Sequence, residues 1–129
     1  MAARNEEKPI RVLLLPAVLL LAAAPQKDSV PDATPTGEAE SCINIRSIQS
    51  SRVRSDRVID FEMNGGKVYR NELPMDCPGL GFEKAFSYVS HTGQLCSVDT
   101  ITVLRQGPVS SGATCGLGKF QPVKLVKAH

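Results

Sequence analysis

Beyond its first forty residues the chain is a series of short segments in which apolar and polar positions alternate, each broken by glycine, proline, asparagine or serine. Alternation with a period of two is the pattern of a half-buried strand. The strongest such signal is a pair of segments, Arg57 to Met63 and Lys67 to Leu73, flanking Asn64-Gly65-Gly66. It predicts a β-hairpin, because Asn and Gly accept the left-handed backbone of a tight turn. Two registers are open. A two-residue turn sets Phe61 across from Val68 and Glu62 across from Lys67. A three-residue loop with Gly66 left-handed sets Phe61 across from Tyr69 and Asp60 across from Arg70. Both give favourable cross-strand pairs.

The same reading predicts one strand within Cys42 to Val53, ending near Ser55-Asp56, and a single helical turn over Phe82 to Ala85. It predicts a second hairpin, Phe86 to Ser90 with Leu95 to Leu104, around His91-Thr92-Gly93. A loop from Gln106 to Thr114 and a last strand from Thr114 to Val123 follow, then a frayed tail over 124–129. No long apolar periodicity of helical type occurs after the leading segment. The expected architecture is all-β: a small disulfide-stapled barrel or sandwich of about five to six short strands.

The first forty residues differ in kind. Val12 to Ala24 is an uncharged apolar run preceded by Arg4, Lys8 and Arg11 and closed by Ala22-Ala23-Ala24. It is shorter than the ~20 residues a spanning helix needs, and it fits a signal peptide over 1–24. Pro25 is a poor residue to follow the cut, so an uncleaved anchor is the alternative. Residues 25–40, rich in Pro, Thr, Ala and acids, have too little apolar surface to offset ordering. They read as a flexible linker, which leaves one domain over 41–123 and no membrane span after processing.

Such a domain is small for a hydrophobic core alone, and here the cysteines change the picture. All four, Cys42, Cys77, Cys96 and Cys115, fall inside it. Metal ligands usually occur in close pairs such as C-x2-C. These are widely spaced, as in the disulfide framework of an exported protein. Three connectivities are possible; Cys42–Cys115 with Cys77–Cys96 would close the ends and staple the middle. The location implied is periplasmic or secreted.

The chain carries a formal charge of +2. The linker is net acidic and the domain mildly basic, which gives no basis for a dedicated nucleic-acid binder. Catalytic chemistry is sparse. His91 lies in a turn beside Ser90, and His129 is the last residue. Asp60 with Glu62 and Asp76 with Glu83 are carboxylate pairs that solvation explains. Gly116-Leu117-Gly118-Lys119 lacks the spacing of a phosphate loop. No catalytic residue, metal site or cofactor is assigned. Four arginines, Arg46, Arg52, Arg54 and Arg57, cluster at the start of the domain. Arg52 and Arg54 are two apart and so share a strand face. They protect a sheet edge or contact an anionic partner through the planar guanidinium fork.

Val68-Tyr69-Arg70-Asn71, Cys77-Pro78-Gly79-Leu80, Leu95-Cys96 and Cys115 resemble a family of small exported proteobacterial proteins known as a domain of unknown function. The resemblance covers roughly Cys42 to Val123. It implies export and a cysteine framework, and brings no activity, cofactor or catalytic residue. The expected function is a non-catalytic binding or structural module of the cell envelope, with an anionic envelope protein or glycan as the partner. The alternative is a small hydrolase-like enzyme using His91 with a carboxylate.

Overall fold

The computed structural model describes residues 30–107 and 111–126. The signal-peptide reading, the first residues of the linker, His129 and the centre of the loop after Gln106 lie outside them. The fold is all-β and sandwich-like, an open arrangement and not a closed barrel. The described residues form ten short strands, against the five or six expected. These are β1 (Ala33–Pro35), β2 (Cys42–Asn44), β3 (Ile48–Val53), β4 (Val58–Met63) and β5 (Val68–Glu72), then β6 (Phe86–Tyr88), β7 (Gln94–Cys96), β8 (Thr100–Leu104), β9 (Ser111–Gly116) and β10 (Phe120–Leu125). A large sheet runs β1-β10-β5-β4-β3, and two small ones are β2-β7 and β6-β8-β9. One helical turn, α1 (Leu80–Glu83), sits between left-handed Gly79 and Lys84.

The central hairpin takes the three-residue loop. Phe61 pairs with Tyr69 and Asp60 with Arg70, and the Met63 amide donates to the Lys67 carbonyl at 2.7 Å. Gly65 and Gly66 are both left-handed, at φ 90° and 91°. This register turns Ile59, Phe61 and Met63 inward, where they pack with Ile43, Leu80, Leu95, Ile101, Val103 and Phe120 of the other elements. The Phe61 ring meets Phe120 and Phe86 edge-on, with centroids 5.6 and 6.2 Å apart.

Elsewhere the strands are shorter than the alternation suggests. The expected strand from Cys42 breaks after Asn44, whose side chain accepts the Arg46 amide at 2.9 Å. That bond draws Ile45–Ser47 into a 3-10 turn, a local alternative to the ladder that Asn often provides. β2 and β3 therefore enter different sheets. The two segments of the second hairpin do pair, Phe86 to Tyr88 with Ile101 to Val103, but a tight turn does not join them. Asp99 accepts the Cys96 amide at 2.7 Å and splits Leu95 to Leu104, so β7 pairs with β2 while β8 takes β6 as its partner. The expected final strand divides into β9 and β10. Between them the buried Asn71 side chain donates to the Gly118 carbonyl at 2.7 Å and accepts the Gly118 amide at 2.8 Å.

Two boundaries move outward. The linker was expected to stay flexible to residue 40, yet Ala33–Pro35 pairs with β10 and Glu40 bridges to Phe120. The tail was expected to fray from 124, yet β10 continues to Leu125 and the Val126 amide donates to Asp32. Main-chain bonding to a sheet edge needs no apolar side chain, and composition carries no trace of it.

The disulfides are Cys42–Cys96 and Cys77–Cys115, and no described cysteine is free. This corrects the expected pairing. Cys42 and Cys96 face each other across β2 and β7, and Cys77, just past β5, reaches β9. Among the described residues no helix is long and apolar enough to cross a membrane.

Candidate functional site

Strand alternation places a second set of side chains on the outer face of the large sheet. One cross-strand row there reads Arg52, Asp60, Arg70 and Gln121 on β3, β4, β5 and β10. Asp60 is fully buried although it points away from the core, because arginines cover it. Arg70 donates from Nε to Oδ1 at 2.8 Å and from Nη2 to Oδ2 at 3.0 Å. Arg54 donates from Nε to Oδ2 at 2.9 Å. A buried carboxylate demands such compensation.

Arg52 and Arg54 do share this face, at the free edge of the sheet. Their states differ. Arg52 is 59% exposed and pairs with Glu62 at 2.7 Å, and Glu62 also accepts from Ser50 Oγ. Arg54 is only 18% exposed and holds Asp60. The cluster thus combines three guanidiniums with two carboxylates. Each guanidinium has five N–H groups. Arg54 commits only its Nε, and Arg70 leaves Nη1 without a partner among the described residues. Among the described residues no buried side-chain nitrogen lacks a partner, so these uncommitted, charged N–H groups touch solvent.

Beside Arg70 the face hollows into a cavity of about 430 Å3, lined by Glu72, Lys119, Gln121, Val123, Ala33 and Pro35 among others. Ala33 and Pro35 come from β1, so the segment expected to be a linker builds one side of it. Next to Ala39, which also lines the cavity, Glu40 accepts from the Tyr69 hydroxyl at 2.7 Å. That hydroxyl, with Glu40 beyond it, raises the neighbouring Lys67 ammonium above the ordinary lysine value.

The remaining arginines separate. Arg57 donates to the carbonyls of Leu73 and Pro74 at 2.9 and 3.1 Å, a structural clamp. Arg46 is exposed on the 3-10 turn. Sequence reasoning missed Arg70 and Lys119 as members of the surface. The pairing of Asp60 with Arg70 in the three-residue register was the signal for the first; Lys119 had none, since it depends on β10 lying beside β5.

His91 is exposed and lines a hollow of about 300 Å3 with Ser87, Thr102 and Asp99. No hydrogen bond joins it to them. Asp99 accepts the Cys96 amide, and Ser90 Oγ donates to the Gln94 carbonyl at 2.8 Å. Glu62, like Asp60, is held by arginine. Gly116 to Lys119 is the β9–β10 corner. Among the described residues no group of three or more His, Cys, Asp or Glu side chains is placed to hold a metal. Compared with known proteins, the chain matches no family model, no curated protein and no solved structure.

Proposed function

We propose that this chain is an exported, non-catalytic binding module of the cell envelope, and that its working surface is the arginine face of the large sheet. The observation that carries this reading is the fully buried Asp60, which fixes the guanidiniums of Arg54 and Arg70 while their outer N–H groups face solvent. A guanidinium already held in place loses little freedom on binding, and its planar fork matches carboxylate and phosphate oxygens. The partner is anionic: an acidic protein segment or a phosphate-bearing glycan. Export is supported by two disulfides in a small domain and by the apolar run Val12 to Ala24. The resemblance of its cysteine and strand motifs to those of the small exported proteobacterial proteins is the ground for proposing membership of that family.

The test is direct binding of a poly-glutamate peptide and of a phosphorylated oligosaccharide, measured by calorimetry at about 20 and about 200 mM salt. One probe binds, its affinity falls as salt rises, and Arg52→Ser with Arg54→Lys weakens it about tenfold while the circular dichroism spectrum is kept. Binding of neither probe, or binding indifferent to salt and to these substitutions, overturns the reading.

The alternative, a small hydrolase acting through His91, draws on the hollow that His91 shares with Asp99 and Ser87. The binding reading is preferred because the groups of the arginine face are already held in register, whereas His91 has no base or nucleophile bonded to it among the described residues.

A further inference from the structure

A second surface lies on the small sheet, away from the arginines. β9 is the last strand of the order β6-β8-β9, so one side of it has no neighbouring strand. Ladder parity identifies which of its backbone groups are left over. The Leu117 amide donates to the Asp99 carbonyl, and antiparallel partners alternate between bonded and non-bonded pairs. Counting along the register, Cys115 bonds with Ile101, while Thr114 and Gly116 stand in non-bonded pairs with Thr102 and Thr100. The amides and carbonyls of Thr114 and Gly116 therefore point away from β8, and they meet no partner among the described residues.

That edge is one wall of a groove of about 550 Å3. Ala113, Thr114, Cys115 and Gly116 all line it. They include residues of both parities, which places the groove along the strand edge and not over one face. The opposite wall is Pro74, Met75, Asp76 and Pro78, tied to β9 by the Cys77–Cys115 disulfide. Met75 is 76% exposed; an adaptable apolar side chain of this kind, standing in solvent, suits a recognition surface. Asp76 is exposed, with no ion pair among the described residues. The nearby Arg57 guanidinium is committed to the carbonyls of Leu73 and Pro74.

We infer that this groove takes an extended segment of a partner protein, which adds as a strand to β9. Alternate backbone groups of the segment bond to Thr114 and Gly116. Its side chains alternate, one apolar against Met75 and the prolines, with a lysine or arginine beside Asp76. Strand addition of this kind takes affinity from main-chain bonds and selectivity from the alternate side chains. A second copy of this chain fits less well, because its own β9 carries its own wall of residues 74–78 into the groove.

The probe is a panel of capped hexapeptides alternating Val, Ile, Leu or Phe with Lys or Thr, titrated into the full chain and followed by amide and methyl NMR. A member of the panel shifts the Thr114 and Gly116 amides and the Met75 methyl, and slows hydrogen exchange at both amides. Methylating the peptide nitrogens on one edge abolishes binding, and methylating those on the other edge leaves it. Gly116→Pro removes one outward N–H without touching the ladder, and a Cβ at Gly116 meets nothing within 4 Å. This variant and Met75→Ser each weaken binding about tenfold at unchanged melting temperature. No binding by any peptide, binding that survives both methylation patterns, or self-association through β9 in sedimentation would each overturn the inference. The anionic probes of the arginine face share none of these residues, so the two readings fail separately.

Discussion

The Asp60 cluster permits a quantitative test of what holds the outer face together. Asp60→Asn keeps the side-chain volume but removes the charge and one acceptor oxygen. Two guanidiniums, 18% and 15% exposed, then face each other without a counter-charge. Three charge-assisted bonds end on Asp60, and each contributes about 1.5–3 kcal/mol. Their sum is an upper bound, since the amide oxygen still accepts one bond and both arginines can turn partly to water. Removing one member of a buried ion pair costs about 3–5 kcal/mol, and the partial exposure of the arginines places this case near 3. In a domain of this size that lowers the melting temperature by roughly 12–24 °C. Urea unfolding should show a lower midpoint at unchanged slope, and the loss should persist at high salt because the group is buried. The triple change Asp60→Leu, Arg54→Met, Arg70→Met should recover most of it, since apolar residues can replace a buried ion cluster without loss. A cost below about 1 kcal/mol for Asp60→Asn, or a triple variant less stable than the single one, would refute the reasoning. Arg52→Gln is the exposed comparison and should cost about 1 kcal/mol or less.

Gly118→Ala is expected to unfold or severely destabilise the domain in thermal melts, because a Cβ there overlaps the Glu72 carbonyl oxygen; a normal melting temperature would show that the β9–β10 corner yields freely. The oxidised protein should resist alkylation completely before reduction. Its bridges span 54 and 38 residues, and loss of either by paired Cys→Ser substitution should cost about 4 kcal/mol by loop-closure entropy. The chain produced in a reducing compartment should therefore be far less stable than the oxidised form, as urea midpoints of the two forms would show.

Several features follow from local chemistry and were legible without the fold. Alternation fixed the strand character of Val58 to Met63 and Val68 to Glu72, and the glycines between them fixed the turn. Cysteine spacing gave disulfides over metal. The two-residue interval put Arg52 and Arg54 on one face, since parity is a property of an extended backbone and needs no neighbour.

What remained open depended on contacts between distant segments. The hairpin register rests on Phe61 reaching Phe86 and Phe120 while Asp60 meets Arg54 and Arg70, and only one of two locally equivalent pairings does both. The disulfide pairing rests on β2 lying beside β7, strands whose chain separation leaves no local signature. β1 adds to the sheet through main-chain bonds that Ala, Thr and Pro side chains do not announce. The state of Arg54, half-buried on a carboxylate where the sequence shows only a charged edge, was set by the tertiary structure, because burial belongs to the assembled sheet and not to the residue.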